Sequence, residues 1–503
     1  MASPVSLPKT LLIYAITIPA ALVLGYMLTT PLDTMSFMGM LLALFILCSP
    51  VLIRSHYPIL VFSWHAWISI FFLPGRPLLW MLMVLLSLFF SLVGNILSRQ
   101  GRFLHVPWVT RSLVFFALII LLTAKIRGGV GIRAFGSGSY GGKGYVNMLF
   151  AIAGYFALTA TTIPLKRVPL YVGIFFLSGM TPALPHLVLY AGPELYWLFY
   201  LLPPDPAMTQ AVVEFTGTGL ARFTGVSLAC LAAYSFMLAR YGIRGNLTTQ
   251  HPVRFLVFLL MVAGSMMGGY RSMLAWVVVS FAVQFLCEGL YKTKFLPMMV
   301  GAVVFAAGLL VPFARDLPLQ VQRTISFLPV DVEASVRWDT TATTEWRLNM
   351  WKAMLPDLHK YVFLGKGFTL NPTDLWLTEQ AMRRGLADSY ESAIEAGDYH
   401  NGPLSVYVPF GLPGVVAFTL FLVFGVRLLY RNFRHGDPAL KQVNTFLLAF
   451  FITRIVIFVF VFGSIKQEFW EFTGLVGLSV ALNGGEKEVP KEVPAPALAP
   501  AYG

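Results

Sequence analysis

The chain has 503 residues, 57% of them hydrophobic and only 12% charged, with a mean hydropathy of +0.73. A soluble domain carries about 25% charged residues, so the composition excludes an ordinary soluble enzyme. The net charge of +13 does not call for a nucleic-acid partner, because the cytoplasmic loops of membrane proteins are rich in Lys and Arg.

Apolar runs recur from Leu11 to Leu482, each long enough to cross ~30 Å of hydrocarbon. Backbone groups in lipid must be hydrogen-bonded internally, which makes each run a helix. The expected fold is an all-α polytopic transmembrane bundle of roughly 12–14 spans. In chain order they fall near 11–29, 34–53, 57–73, 77–97, 112–124, 145–164, 168–191, 223–240, 253–268, 272–290, 295–313, 403–429, 440–463 and 466–482. The first run lacks a small-residue cleavage site and reads as a retained span. Cys48, Cys230 and Cys287 all lie in apolar runs and read as small buried hydrophobes.

Four regions result. Residues 1–313 form the N-terminal and central helices, 314–402 an extracytoplasmic loop subdomain, 403–482 the C-terminal helices, and 483–503 a Pro/Ala/Glu/Lys-rich cytoplasmic tail expected to be disordered. With the N-terminus in the cytoplasm, inside loops collect Arg54, Arg99, Arg102, Arg111, Lys166, Arg167, Arg240, Arg244, Arg254, Lys292, Lys294, Arg427, Arg431, Arg434 and Lys441, as the positive-inside rule requires. Eleven expected spans precede 314–402, which places it outside.

One outside loop departs from that rule. Lys125 to Lys143 carries Lys125, Arg127, Arg133 and Lys143 among many glycines. Backbone N–H groups and cations together could hold phosphate oxygens; an ordinary flexible loop with tolerated charges is the other reading. Within 314–402, the period of Trp346, Met350, Met354 and Leu358 indicates a helix, and Trp346 and Trp351 suit one lying at headgroup level. Asp374 to Glu395 reads as a second helical stretch, split at Gly385.

Several motifs are absent from the sequence. There is no phosphate-binding P-loop, no Cys/His cluster with zinc spacing and no Asp-x-Asp pair on an outer loop. A diphosphate would therefore have to be neutralised by basic side chains, for which the planar fork of arginine is best suited. Arg222 opens a span, Arg271 sits at a junction in Gly269-Tyr270-Arg271-Ser272, and Arg347 lies on the Trp-flanked helix. Each alone is also explained by snorkelling to headgroups. His400, in Tyr399-His400-Asn401 at the lip of a span, could take a proton from a hydroxyl, or could be a plain surface histidine. His65 and His186 read as buried and hydrogen-bonded. Arg454 lies mid-span and needs a partner, for which Glu468 or Glu471 is placed.

These pieces, in this order, resemble the O-antigen ligase and polymerase superfamily. Arg222-Phe-Thr-Gly225 is similar to its Arg-x-x-Gly span opening, and Gly269-Tyr-Arg271-Ser to its Ser-Arg-Gly/Ser element. Glu345-Trp-Arg347 through Trp351, followed by Phe363-Leu-Gly365-Lys-Gly367, resembles its Arg…Trp…Pro…Gly-x-Gly run. Tyr399-His400-Asn401 with Gly411-Leu412-Pro413-Gly414 resembles its His-Asn…Gly-Leu-x-Gly run. The resemblance spans roughly Arg222 to Gly414. Tyr270 stands where relatives have Ser, and the Asn-Pro that often follows the first element is missing.

The resemblance implies a metal-independent, cofactor-free, inverting glycosyltransferase of the bacterial inner membrane, facing the periplasm. Its donor would be a glycan on undecaprenyl diphosphate and its acceptor a hydroxyl, on lipid A-core in lipopolysaccharide biosynthesis or on another molecule. His400 would be the general base, with Arg222 and Arg271 on the diphosphate and Arg347, Lys125 and Arg127 as further phosphate ligands. The alternatives are a polymerase of the same superfamily and, in a different class, a secondary transporter; the paired broken spans usual in transporters are not evident.

Overall fold

The computed structural model describes residues 9–29, 33–98, 103–131, 140–204 and 222–487. The tail from 488 onward and residues 132–139 of the glycine-rich loop, including Arg133, lie outside the described residues. The described residues form helices and no β-strand: α1 (Lys9–Thr29), α2 (Thr34–Ser63), α3 (Leu79–Ser98), α4 (Pro107–Arg127), α5 (Gly142–Leu158), α6 (Val168–Leu177), α7 (Ala183–Ala191), α8 (Thr224–Asn246), α9 (Pro252–Ser265), α10 (Arg271–Cys287), α11 (Phe295–Phe313), α12 (Leu319–Ile325), α13 (Ala334–Met354), α14 (Pro372–Arg383), α15 (Ser389–Glu395), α16 (Gly402–His435), α17 (Lys441–Phe460) and α18 (Ile465–Asn483).

The all-α polytopic class holds, and the span count differs from expectation. Among the described residues seven helices are long and apolar enough to cross a membrane, or eight if the bent pair Leu165–Met180 and Ala183–Ala191 is one span. Six expected spans are not among the eight: those over 11–29, 145–164, 253–268, 272–290 and 466–482 are helices that do not qualify, and 57–73 is not a helix of its own. The helices Pro252–Gly268 and Arg271–Cys287 are apolar but short. The expected span 57–73 does not exist: α2 runs on to Ser63, and 64–78 is turns and irregular chain punctuated by Pro74, Gly75 and Pro77. Its hydropathy comes instead from side chains buried in protein, with Trp64 only 1% exposed. One crossing fewer also means that counting from the N-terminus does not set the side of 314–401.

The chain divides into two compact units, Met1–Tyr57 and Pro58–Gly503. In the first, apolar side chains such as Leu22, Leu42 and Leu47 point outward, as a lipid-facing surface requires; Cys48 is exposed rather than buried. In the second, α18 and α17 form the buried centre, α5 packs along α18, and α4 along α16. Small residues allow the close approach: a Cβ on Gly474 would stand 2.0 Å from Trp64 Nε1, and one on Gly154 would stand 2.5 Å from the same ring.

A break in α16 positions the segment 314–401. Gly411 is non-helical at φ +64, and Pro409 and Pro413 flank it. Pro413 has no N–H, so the carbonyl of Pro409 is released from the helix ladder. Leu412 N–H turns away to the Val362 carbonyl at 2.8 Å, which releases Val408 as well. The freed carbonyls accept from Gly367 N–H at 3.0 Å and Lys366 N–H at 2.7 Å. Only glycine fits at 365, where a Cβ would meet the Pro409 carbonyl carbon at 2.1 Å. The Gly-x-Gly run is thus a backbone clasp that ties that segment to the helix that follows His400.

Two small cores form in and around this segment. Ala314, Ile325, Val330, Val332 and Val336 form one, and Met350, Met354, Tyr399 and Val408 the other. The Met350/Met354 stripe expected of α13 is present, and it packs on Tyr399. Trp351 Nε1 donates to the Tyr399 carbonyl at 2.9 Å, and Trp346 Nε1 to Ser389 Oγ at 2.9 Å. The split at Gly385 is also present, at φ +69 between α14 and α15.

Candidate functional site

Four arginines converge from four segments. Arg222 stands two residues ahead of α8, with its guanidinium over the Tyr270 ring at 5.4 Å. Gly225 seats this helix start, since a Cβ there would lie 2.1 Å from the Pro182 carbonyl oxygen. Arg271 is the first residue of α10 and donates through Nη2 to Thr344 Oγ1 on α13 at 3.0 Å. Arg323 on α12 donates through Nε to Asp339 Oδ2 at 2.5 Å and through Nη1 to the Gly269 carbonyl at 2.9 Å. Arg347 on α13 has its guanidinium 5.8 Å from the Phe462 ring centre.

The charges press on one another. Burial lowers the pKa of Arg323, and the fields of Arg222 and Arg271 lower it further, against the pull of Asp339. Burial likewise lowers that of Arg347, assisted by Arg271 and Arg323. One aspartate therefore stands against four guanidinium groups. Arg271 also occupies the positive end of a helix dipole, a placement that costs a cation about 0.3–1 kcal/mol. Arg271 and Arg323 hydrogen-bond within the protein, to Thr344 and Gly269, and the arginine charges act on one another. Helix N-termini plus unpaired cations make an anion site.

His400 lies at the edge of this cluster. Asn401 caps α16, accepting from Leu404 N–H at 3.0 Å. Gly402 is pressed against Phe458, where a Cβ would come 2.1 Å from the carbonyl oxygen. Between the buried Tyr399 and this fixed helix start, the chain turns through His400 at φ +48, a left-handed conformation that non-glycine residues adopt at a cost of about 1–3 kcal/mol. The imidazole is edge-on to Trp346, 5.4 Å between centres, and 5.4 Å from Phe462. Its Nδ1 is buried and has no hydrogen-bond partner among the described residues.

Burial is the largest influence on the His400 pKa and lowers it. Arg347 and Lys466 lower it further, while Asp398 raises it. The ring is thereby kept neutral near pH 7 and able to accept a proton.

The structure thus brings together Arg222, Arg271, Arg347 and His400 from the sequence candidates. Arg127 is used differently. Its Nε and Nη2 donate to the carbonyls of Gly365 and Leu364, both at 2.8 Å, which buttresses the backbone clasp. Lys125 is exposed in the last turn of α4, where a cation favours the helix dipole. Among the described residues no contact ties either one to the arginine group.

Sequence reasoning missed Arg323, Asp339 and Lys466. Arg323 lies in a short polar run, Gln320-Val321-Gln322-Arg323-Thr324, that resembles exposed loop. Lys466, at the start of α18, donates to the Ala396 carbonyl at 3.1 Å and reads in sequence as a snorkelling lysine.

Residues 256–419 match the sequence model of the family described as O-antigen ligase. The matched segment contains Arg271, Arg323, Asp339, Arg347 and His400; Arg222 and Lys466 fall outside it. Among curated proteins, none matches the chain.

Proposed function

We propose that the O-antigen ligase-type domain of this membrane protein transfers a glycan from undecaprenyl diphosphate to an acceptor hydroxyl on the periplasmic face of the inner membrane. The observation that carries this reading is the under-compensated group Arg222, Arg271, Arg323 and Arg347 beside a neutral imidazole. A diphosphate supplies the missing negative charge, and its charge grows as the sugar departs, so fixed guanidinium groups stabilise the transition state more than the ground state. The acceptor oxygen forms its bond to the anomeric carbon as the bond to the diphosphate oxygen breaks. The electron pair leaves with the diphosphate, and the hydroxyl proton passes to His400. Attack opposite the leaving group inverts the anomeric centre. The sidedness rests on the basic loops between Lys166 and Lys441, which belong inside by the positive-inside rule.

The test is glycan transfer from the lipid-linked donor by purified full-length protein. His400→Ala is expected to lower turnover by about 10²–10⁴-fold with the protein still folded, and Arg271→Ala to weaken both donor binding and turnover. Normal transfer in both variants would exclude the mechanism. Since the chain supplies its own cations, transfer should persist in a chelator; a strict metal requirement would count against the arginine clamp.

A further inference from the structure

A second set of charged side chains lies inside the helix bundle and takes no part in the chemistry above. Arg454 on α17 sits six residues before the helix end, about 9 Å in at 1.5 Å per residue. Its Nη2 meets Glu471 Oε2, and its Nη1 lies 4.0 Å from Glu468 Oε2, both carboxylates on α18. Trp276 of α10 and Phe450 of α17 face the guanidinium at 5.2 and 5.7 Å. His65, in the turn after α2, completes the group. Its Nδ1 is 2.9 Å from the Phe175 carbonyl, so that nitrogen carries the hydrogen, and its Nε2 is 3.8 Å from Glu471 Oε2. Phe175 and Trp470 line the ring. All four polar side chains are at most 21% exposed. Lys466, the nearest other cation on α18, points away to the Ala396 carbonyl.

One guanidinium here faces two carboxylates in a poorly solvated place, with a neutral imidazole alongside. An uncompensated buried charge is costly, and within a membrane bundle it is normally paired or neutralised. We propose that this network is a proton-binding site which holds one proton, carried by Glu468. Glu471 is the carboxylate in close contact with Arg454 and stays ionised. Glu468 is the looser partner, its other oxygen receiving only a long bond of 3.4 Å from Ser464 N–H. The proton makes the group of Arg454, Glu468 and Glu471 electrically neutral. The turn of the α17–α18 hairpin carries Phe462, and the first turn of α18 carries Lys466; both stand beside His400.

The site is tested without reference to glycan transfer. Infrared spectra of full-length protein in lipid nanodiscs at about pH 6 are expected to show a protonated carboxyl C=O band, because an ordinary glutamate is ionised above about pH 4.3. Glu468→Gln should remove the band and His65→Gln should leave it. Because the folded state binds a proton that the unfolded chain has lost, the folded-to-unfolded ratio should fall by up to about tenfold per pH unit above pH 4.3 until the proton is released, and Glu468→Gln should subtract this slope. A wild-type spectrum without the band overturns the proposal even if the variant fails to accumulate. A band or slope that survives in folded Glu468→Gln also overturns it.

Discussion

Arg323 and Asp339 are joined at 2.5 Å with the arginine side chain only 8% exposed, so Asp339 is committed to the most enclosed cation of the arginine group. Asp339→Ala leaves that guanidinium buried and unpaired, and should destabilise the protein by about 3–5 kcal/mol, read as a fall in Tm. The exposed pair Arg315–Asp331, 64% exposed on both sides, is the control. Asp331→Ala should cost under about 1 kcal/mol.

The charges around His400 set the acid limb of the pH–rate profile. A general base must be unprotonated, and burial, Arg347 and Lys466 hold the His400 pKa below 6.5. The limb should therefore fall below pH 6.5. Lys466→Gln removes a positive field, raises the His400 pKa and should move the limb upward. Asp398→Asn removes a negative field and should move it downward. Shifts of opposite sign to these, in kcat/KM against pH, would remove His400 from the role of base.

Arg127 and the arginine clamp should separate in kinetics. Arg127→Ala breaks two hydrogen bonds to carbonyls and should lower stability by about 1–3 kcal/mol with KM for the lipid donor little changed. Lys125→Gln should alter neither. A KM for donor raised tenfold by Lys125→Gln would return the glycine-rich loop to the phosphate site.

Gly365→Ala tests the clasp between residues 365–367 and α16. The new methyl would collide with backbone, not with a flexible side chain, so the Lys366–Val408 and Gly367–Pro409 hydrogen bonds must open. We expect loss of transfer and a lower Tm together, whereas Gly385→Ala, where nothing lies within 4 Å, should show only the strain of its positive φ.

Hydropathy alone determined the membrane-helical class, because burying apolar side chains in lipid needs no particular partner. Local rules also placed the break at Gly385 and the need of Arg454 for a carboxylate. The same measure misread 57–73, since it registers that a residue avoids water and not whether lipid or protein replaces it; Trp64 is buried by protein. What only the tertiary structure decided is which cations meet. Arg271 reaches Thr344 across 73 residues of sequence, and Arg323 reaches Gly269 across 54. A guanidinium that snorkels and one that joins a clamp have the same sequence neighbours, because charge repulsion and compensation depend on distance through space.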